Sequence, residues 1–364
     1  MIDARPVLIM AGGTGGHVFP ALAVADELQS RGIPVVWLGT RAGIESRLVP
    51  QAGYPIEWMS ITGLRGKNTL TLFLAPLRIL MACWQALVVL LKRKPCAVLG
   101  MGGFASGPGG LMAWMIRKPL IVHEQNAIAG MTNKILAKLS TVVLQAFPLV
   151  FKRGVTMGNP VRQSICDIET PEVRYSLRVC NGKQNKLRLL IVGGSLGAAK
   201  LNEVIPQALQ KMSEDRRPEV VHQTGLKNIE ATNAFYSAAG VEAKVEAFID
   251  DMPSVYEWAD LVICRSGAMT VFELAAVGIA SILVPYPYAV DDHQTFNAKY
   301  LEDAGAAVIR QQDELTADWL VSAVNDFDNN REKLLDMAVA ARKLAIPDSA
   351  KHIADACLSA GGLV

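Results

Sequence analysis

Between Met10 and Leu28 the sequence reads MAGGTGGHVFPALAVADEL, four glycines, a threonine and a histidine set between an apolar run and a helical pattern. Glycines at a strand-to-helix turn present backbone N–H groups and the positive end of the helix dipole, for which phosphate is the default guest. Close packing of helix on strand selects glycine as well, so one such loop decides little. Thr14, Gly15 and Gly16 are candidates to hold phosphate or sugar oxygens. His17 stands at a helix start, where the dipole disfavours an imidazolium, so a neutral imidazole there can accept a proton. Glu124, in HEQN at the end of an apolar run, is the competing base or helper. A second loop, GGSLGA, offers Ser195 as helix cap or phosphate donor. After a third, RSGAMT, Glu273 lies one to two turns inside a helix, placed to accept hydrogen bonds from two ribose hydroxyls. Ala268, Met269, Thr270, Val271 and Phe272 supply backbone N–H groups just ahead of it.

Two familiar phosphate motifs do not fit. A dinucleotide fingerprint counted from Gly13 ends on Val18, and the second strand ends on Thr40 and Arg41 where an acid is expected. No glycine loop ends in the GK[ST] of a P-loop. An Asp-x-Asp triplet of the metal-binding kind, Asp326-Phe327-Asp328, lies in the polar run NDFDNN and reads as a solvated loop. No metal and no cofactor is expected.

The elements that position these residues repeat. Gly12, Gly13, Thr14 and Gly16 match Gly193, Gly194, Ser195 and Gly197 at a constant offset of 181 (193 − 12). Residues 96–126 and 259–287 echo one another too, as strand, glycine loop, helix and strand. Continuous apolar strands separated by helices indicate parallel sheets covered on both faces. The fold class is therefore α/β, two doubly wound Rossmann-like domains facing across a cleft. Ligands in such sheets sit beyond the carboxyl ends of the strands. Gly158 and Pro160 break the chain at MGNPVR, giving a domain at 1–162, a second at 163–340, and a C-terminal helix at 341–364 that packs back on the first.

With 51% hydrophobic and 19% charged residues over 364, the chain can bury a large core. A net charge of +2 gives no global reason to bind nucleic acid. Six scattered cysteines without CxxC speak against a disulfide framework or structural zinc, and fit a reducing compartment. The N-terminal apolar run is too short for a signal peptide and reads as a first strand. The run from Leu70 to Leu91 is apolar and flanked by Arg65, Lys67, Lys92, Arg93 and Lys94, but Pro76 and Arg78 interrupt it. The remaining 79–91 is too short to span a bilayer and reads as a core helix. Leu70, Leu72, Phe73, Leu74, Leu77 and Arg78 suit a surface dipping into an anionic membrane interface.

Eight stretches carry a resemblance: GGTGGHVFPALA, GMGGFASGPGG, HEQNAIAGMTNK, GNPVR, GGSLGA, FIDDM, RSGAMTVFELAAVG and DDHQTFNA. In this order they resemble the MurG family of bacterial N-acetylglucosaminyltransferases, over about Pro6 to Ala345. The resemblance implies a GT-B fold and an inverting, metal-independent transfer of N-acetylglucosamine (GlcNAc) from UDP-GlcNAc. The acceptor is the 4-hydroxyl of N-acetylmuramic acid in lipid I, giving lipid II for peptidoglycan, cell shape and division. It further implies that Ile249 flanks the uracil, that Asn126 and Gln294 read sugar hydroxyls, and that Arg162 neutralises departing UDP. Gly102, Gly103, Ser106 and Gly107 then hold the acceptor pyrophosphate. His293 stands where some relatives in the family carry Gln. The implied location is peripheral, on the cytoplasmic face of the inner membrane, with other wall-synthesis proteins as partners. Two other classes compete: a UDP-GlcNAc 2-epimerase-like enzyme of the same shape, and a non-catalytic nucleotide-sugar sensor or scaffold.

Overall fold

The computed structural model describes residues 5–61, 75–179, 186–194 and 197–363. It divides into two compact units, Met1–Val161 with Asp348–Val364, and Arg162–Pro347.

The first unit is built on seven parallel strands: β1 (Val7–Met10), β2 (Val35–Gly39), β3 (Ile56–Trp58), β4 (Ala97–Gly100), β5 (Leu120–Glu124), β6 (Val142–Gln145) and β7 (Val155–Thr156). Their order is β3-β2-β1-β4-β5-β6-β7. Every residue of β1, β2, β4 and β5 is buried, as unbroken apolar strands require when both sheet faces are covered. Alternate residues of β1 serve opposite faces. Val7 and Ile9 pack with Val18, Val24 and Leu28 of the Gly15–Ser30 helix and with Ile353 and Cys357 of the Ser349–Ala360 helix. Leu8 and Met10 pack under the helices Ala75–Arg93, Ser106–Met115 and Met131–Leu139.

One expectation about this layer holds only in part. The stretch 79–91 is a core helix on one face only. It belongs to the Ala75–Arg93 helix, which buries Ala82, Cys83, Ala86, Val89 and Leu90 but exposes Leu80 (66%), Trp84 (66%) and Leu91 (57%). Small residues face the sheet and large ones face out, so a count of apolar residues could not locate the buried side. By length and composition this helix is apolar enough to cross a membrane. Leu77 and Arg78 are exposed on it, whereas Leu70, Leu72, Phe73 and Leu74 lie outside the described residues.

The second unit carries six parallel strands: β8 (Arg188–Val192), β9 (Glu219–Gln223), β10 (Lys244–Glu246), β11 (Leu261–Cys264), β12 (Ala280–Leu283) and β13 (Ala307–Ile309). They run in the order β10-β9-β8-β11-β12-β13. The internal echo is structural: Gly13 and Gly194, the second residue of each loop, share a positive φ of 89° and 79° that only glycine adopts freely. In both sheets the strand order reverses between the first strand and its neighbour, β1/β4 and β8/β11. At such a switch point two loops part and leave a crevice. The Asp326–Asp328 triplet is a correction: it lies within the helix Ala317–Asn329, not in a loop. Phe327 is buried there, and the two carboxylates pair with Lys333 and Arg331.

Candidate active site

At the switch point of the first unit the loop after β1 meets the loop after β4. Gly103 (φ 87°) lies so close to Gly12 that a Cβ would sit 2.4 Å from the Gly12 carbonyl oxygen. Gly102 is buried against the His17 ring, where a Cβ would stand 2.8 Å from Nδ1 and Cε1. Glycine is required at both places by space as well as by φ. The buried Ser106 hydroxyl lies 2.8 Å from the Gly102 carbonyl and 3.0 Å from the Met10 carbonyl and shares its one hydrogen between them, tying the two loops together. Gly107 is half-buried at the start of the Ser106–Met115 helix, and Thr14 and Gly16 are exposed with Gly15 half-buried between them.

A residue missed from the sequence holds this loop. The Glu45 carboxylate, fully buried, accepts from Gly13 N (2.9 Å), Thr40 N (3.0 Å) and Thr40 Oγ1 (2.7 Å). Gly12, Gly39 and Gly43 make room for it, since a Cβ on any of them would come within 3 Å of the Glu45 side chain. The acid absent from the end of β2 is thus supplied five residues later, and it already occupies an amide of the first glycine loop.

Glu124, at the end of β5, is also engaged on both oxygens. It accepts from Asn126 N (3.0 Å) and Nδ2 (3.3 Å), Gly130 N (3.0 Å) and Asn133 Nδ2 (2.9 Å), and is 1% exposed. Its geometry is that of an anchor for the loop bearing Asn126. His17 is half-buried, and its Nδ1 lies 3.0 Å from Gln125 Oε1. Gln125 Nε2 in turn donates to His123 Nδ1 and the His123 carbonyl, each at 3.2 Å. His123 is wholly buried and reaches the Gly158 carbonyl at 2.9 Å. Burial draws its pKa down to about 4, with the Gly158 carbonyl bond opposing, so its ring is neutral near pH 7.

In the second unit the loop after β11 leads into the helix Ala268–Val277 with Gly267 as N-cap. Ala268, Val271 and Phe272 are buried, while Met269, Thr270 and Glu273 are half-buried. The Ser266 hydroxyl, just ahead of the helix, is buried without a partner among the described residues. Glu273 accepts from the Tyr256 hydroxyl at 3.1 Å. Burial raises the Glu273 pKa, while the positive charge of Arg162 and the Tyr256 hydrogen bond pull it back. Tyr256 itself, fully buried, is pushed far above the ordinary phenol range by burial and by the Glu273 charge. Arg162 is exposed at the head of the short Gln163–Cys166 helix.

Behind these groups Arg174, itself buried, donates to the carbonyls of Tyr256, Val277 and Gly278, holding together the two helices that carry Tyr256 and Glu273. Ile249 is 3% exposed between β10 and the Met252–Trp258 helix, beside Phe248 at 59%. Gln294 accepts from Tyr286 N at 2.9 Å. It follows Asp291 and Asp292, two successive non-glycine residues in the left-handed region (φ 54° and 51°), strain of a kind that gathers at ligand-binding loops. His293 donates Nδ1–H to the Val290 carbonyl at 2.7 Å, within that loop. Ser195 lies outside the described residues.

Each unit thus groups its predicted residues at the carboxyl ends of its strands. Glu45, His123, Gln125 and Tyr256 join them unannounced. Their distant partners Gly13, Gly158, His17 and Glu273 stand 32, 35, 108 and 17 positions away in the chain, and no spacing rule reaches that far.

Comparison with known proteins agrees with both halves. The glycosyltransferase family 28 N-terminal domain matches residues 7–145, and the family 28 C-terminal domain matches residues 188–353. The chain is 52% identical over 359 residues, 98% of each sequence, to a protein of Marinobacter nauticus. That relative is named UDP-N-acetylglucosamine--N-acetylmuramyl-(pentapeptide) pyrophosphoryl-undecaprenol N-acetylglucosamine transferase. The crystal structure of Acinetobacter baumannii MurG superposes with a TM-score of 0.84 at 42% identity, covering 98% of this chain and 99% of that one. A UDP-GlcNAc 2-epimerase from Neisseria meningitidis, 14% identical with a TM-score of 0.66 over 97% of this chain and 100% of that one, shares the fold alone. The chain belongs to the MurG family of GT-B glycosyltransferases, within glycosyltransferase family 28.

Proposed function

We propose that this protein transfers GlcNAc from UDP-GlcNAc to the 4-hydroxyl of N-acetylmuramic acid in lipid I, with inversion, forming lipid II. The observation that carries the reading is 52% identity across 98% of a relative named for that reaction. The site chemistry supports it. In the second unit Glu273, braced by Tyr256, accepts the two ribose hydroxyls of the donor. Ile249 flanks the uracil, and Gln294 reads the sugar. Amides from Ala268 to Phe272, with Ser195, surround the diphosphate, and Arg162 neutralises UDP as it leaves. In the first unit Glu45 already holds an amide of the glycine loop, which favours donor binding on the second unit.

His17 is the base. As the acceptor oxygen attacks the anomeric carbon and the bond to UDP breaks, the hydroxyl proton passes to its imidazole. Glu124, with four donors on its carboxylate, positions Asn126 rather than taking the proton. Gly102, Gly103, Ser106 and Gly107 line the acceptor's pyrophosphate, and Thr14, Gly15 and Gly16 hold phosphate or sugar oxygens of UDP-GlcNAc.

The protein works at the cytoplasmic face of the inner membrane, beside other wall-synthesis proteins. The helices 75–93, 106–115 and 131–139 pack side by side and expose Leu80, Trp84, Trp114, Met115, Met131 and Ile135. Arg78, Lys92, Lys94, Arg117, Lys134 and Lys138 are exposed among them, a pairing of apolar and basic groups that suits an anionic lipid surface.

Radiolabelled UDP-GlcNAc incubated with lipid I tests the activity. Label should move into a lipid-soluble disaccharide product. Label that stays water-soluble as an epimerised sugar supports the epimerase alternative, and donor binding without any turnover supports a sensor.

A further inference from the structure

His17 has two ring nitrogens, and only an unprotonated one can take a proton. Four hydrogen bonds in the first unit decide which. At one end the Gly158 carbonyl can only accept, so the His123 nitrogen 2.9 Å from it, Nε2, carries the hydrogen. His123 Nδ1 is then a lone pair. The next link is Gln125, whose Nε2 lies 3.2 Å from that lone pair and 3.2 Å from the His123 carbonyl oxygen. Both neighbours are acceptors, so the amide NH₂ faces them and Oε1 faces away. Oε1 stands 3.0 Å from His17 Nδ1 and has no hydrogen to give, so Nδ1 carries one.

His123 and Gln125 are both wholly buried, so no solvent molecule need be invoked to reorient either. Asn159 Nδ2 bonds the Gln125 carbonyl at 3.0 Å and holds that residue's backbone. Gly102 crowds the same Nδ1–Cε1 edge of His17. Nε2 is the remaining ring nitrogen, and it has no hydrogen-bond partner among the described residues.

We infer that His123 and Gln125 are positioning residues: a line of hydrogen bonds from the Gly158 carbonyl fixes His17 as its Nδ1–H tautomer and leaves Nε2 as the atom that receives the acceptor's proton. The step balances simply. The hydroxyl oxygen forms the new bond to the anomeric carbon, the bond to UDP breaks with its electron pair, and the proton moves to Nε2. This rests on the reading of His17 as base. An imidazole whose Nδ1–H lost its acceptor would revert toward the Nε2–H form that histidine prefers in water, and its lone pair would point into the protein.

Nitrogen-15 shifts of the His17 ring in the wild-type protein test the tautomer, and the same shifts with the kinetics of Gln125→Met test its purpose. The wild type should show Nδ1–H with an unprotonated Nε2. Gln125→Met, near-isosteric but without an acceptor, should shift the tautomer and lower kcat by roughly 10²-fold, the low end of a positioned base's contribution, with donor KM unchanged. An Nε2–H ring in the wild type overturns the proposal, and so does a folded Gln125→Met enzyme with wild-type kcat. If Gln125→Met does not fold, the wild-type spectrum decides. Wild-type turnover by His17→Ala would instead remove the base role, while the nitrogen shifts still judge the tautomer.

Discussion

At the scale of single residues, Glu273 offers the sharpest test. Its carboxylate must be charged to accept two hydroxyls strongly, and burial raises its pKa despite Arg162. Donor affinity is therefore complete above the raised pKa and declines as pH falls through it, sooner than for an ordinary glutamate. Donor KM measured from neutral toward acid pH should climb early in the wild type and stay flat in Glu273→Gln. Glu273→Ala should cost about 2 kcal/mol of donor binding, roughly 30-fold in KM; an unchanged KM removes it from the donor site. Arg162 makes a second test. If a guanidinium and helix amides carry the charge of departing UDP, turnover persists in excess EDTA, whereas complete loss restored by Mg²⁺ would assign that charge to a cation. The buried Glu45 anchors its loop through three hydrogen bonds. Glu45→Gln turns an N–H toward donors and should lower unfolding stability by about 2 kcal/mol, read as the denaturation midpoint.

At the scale of elements, the outward apolar layer follows from which side of a helix is small. Ala82, Cys83 and Ala86 let the 75–93 helix lie close on its sheet, so Leu80, Trp84 and Leu91 are left outward. Replacing those three with serine should weaken binding to anionic vesicles at least about tenfold, since each large apolar side chain is worth about 1.5–3 kcal/mol when removed from water. Turnover of a water-soluble acceptor analogue should be spared. Equal vesicle binding would move the contact elsewhere. The same helix shows where sequence reading stops. Strands and glycine loops are legible because their patterns are local: VLIM and RLLIV are buried runs, and the glycines after them break the chain in one recurring way. Which face of an all-apolar helix is covered depends on what packs over it, and periodicity is silent when every position is apolar. Glu45, Gln125 and Tyr256 are hidden for a related reason. Their meaning lies in Gly13, His17 and Glu273, at 32, 108 and 17 positions' remove.

At the scale of the molecule, both units use one plan, and the proposed function gives donor chemistry to the strand ends of one and proton transfer to those of the other. The helix Ser349–Ala360 completes the first unit's core, burying Ile353, Ala354, Cys357 and Leu358 against the sheet bearing His17. Two large aliphatic side chains alone contribute about 3–6 kcal/mol there, a large share of a domain's typical stability of about 5–15 kcal/mol. A chain ending at Pro347 should lose the first unit's cooperative melting transition and keep that of Arg162–Pro347. Two intact transitions would show the helix to be dispensable. This arrangement also sets an order of assembly. During synthesis the sheet of the first unit emerges early, yet its covering helix is translated nearly two hundred residues after β7. The uninterrupted second unit can settle on the ribosome first, while its elder neighbour waits with one greasy face bare, a stretch of time in which chaperones would have their strongest claim on the nascent chain.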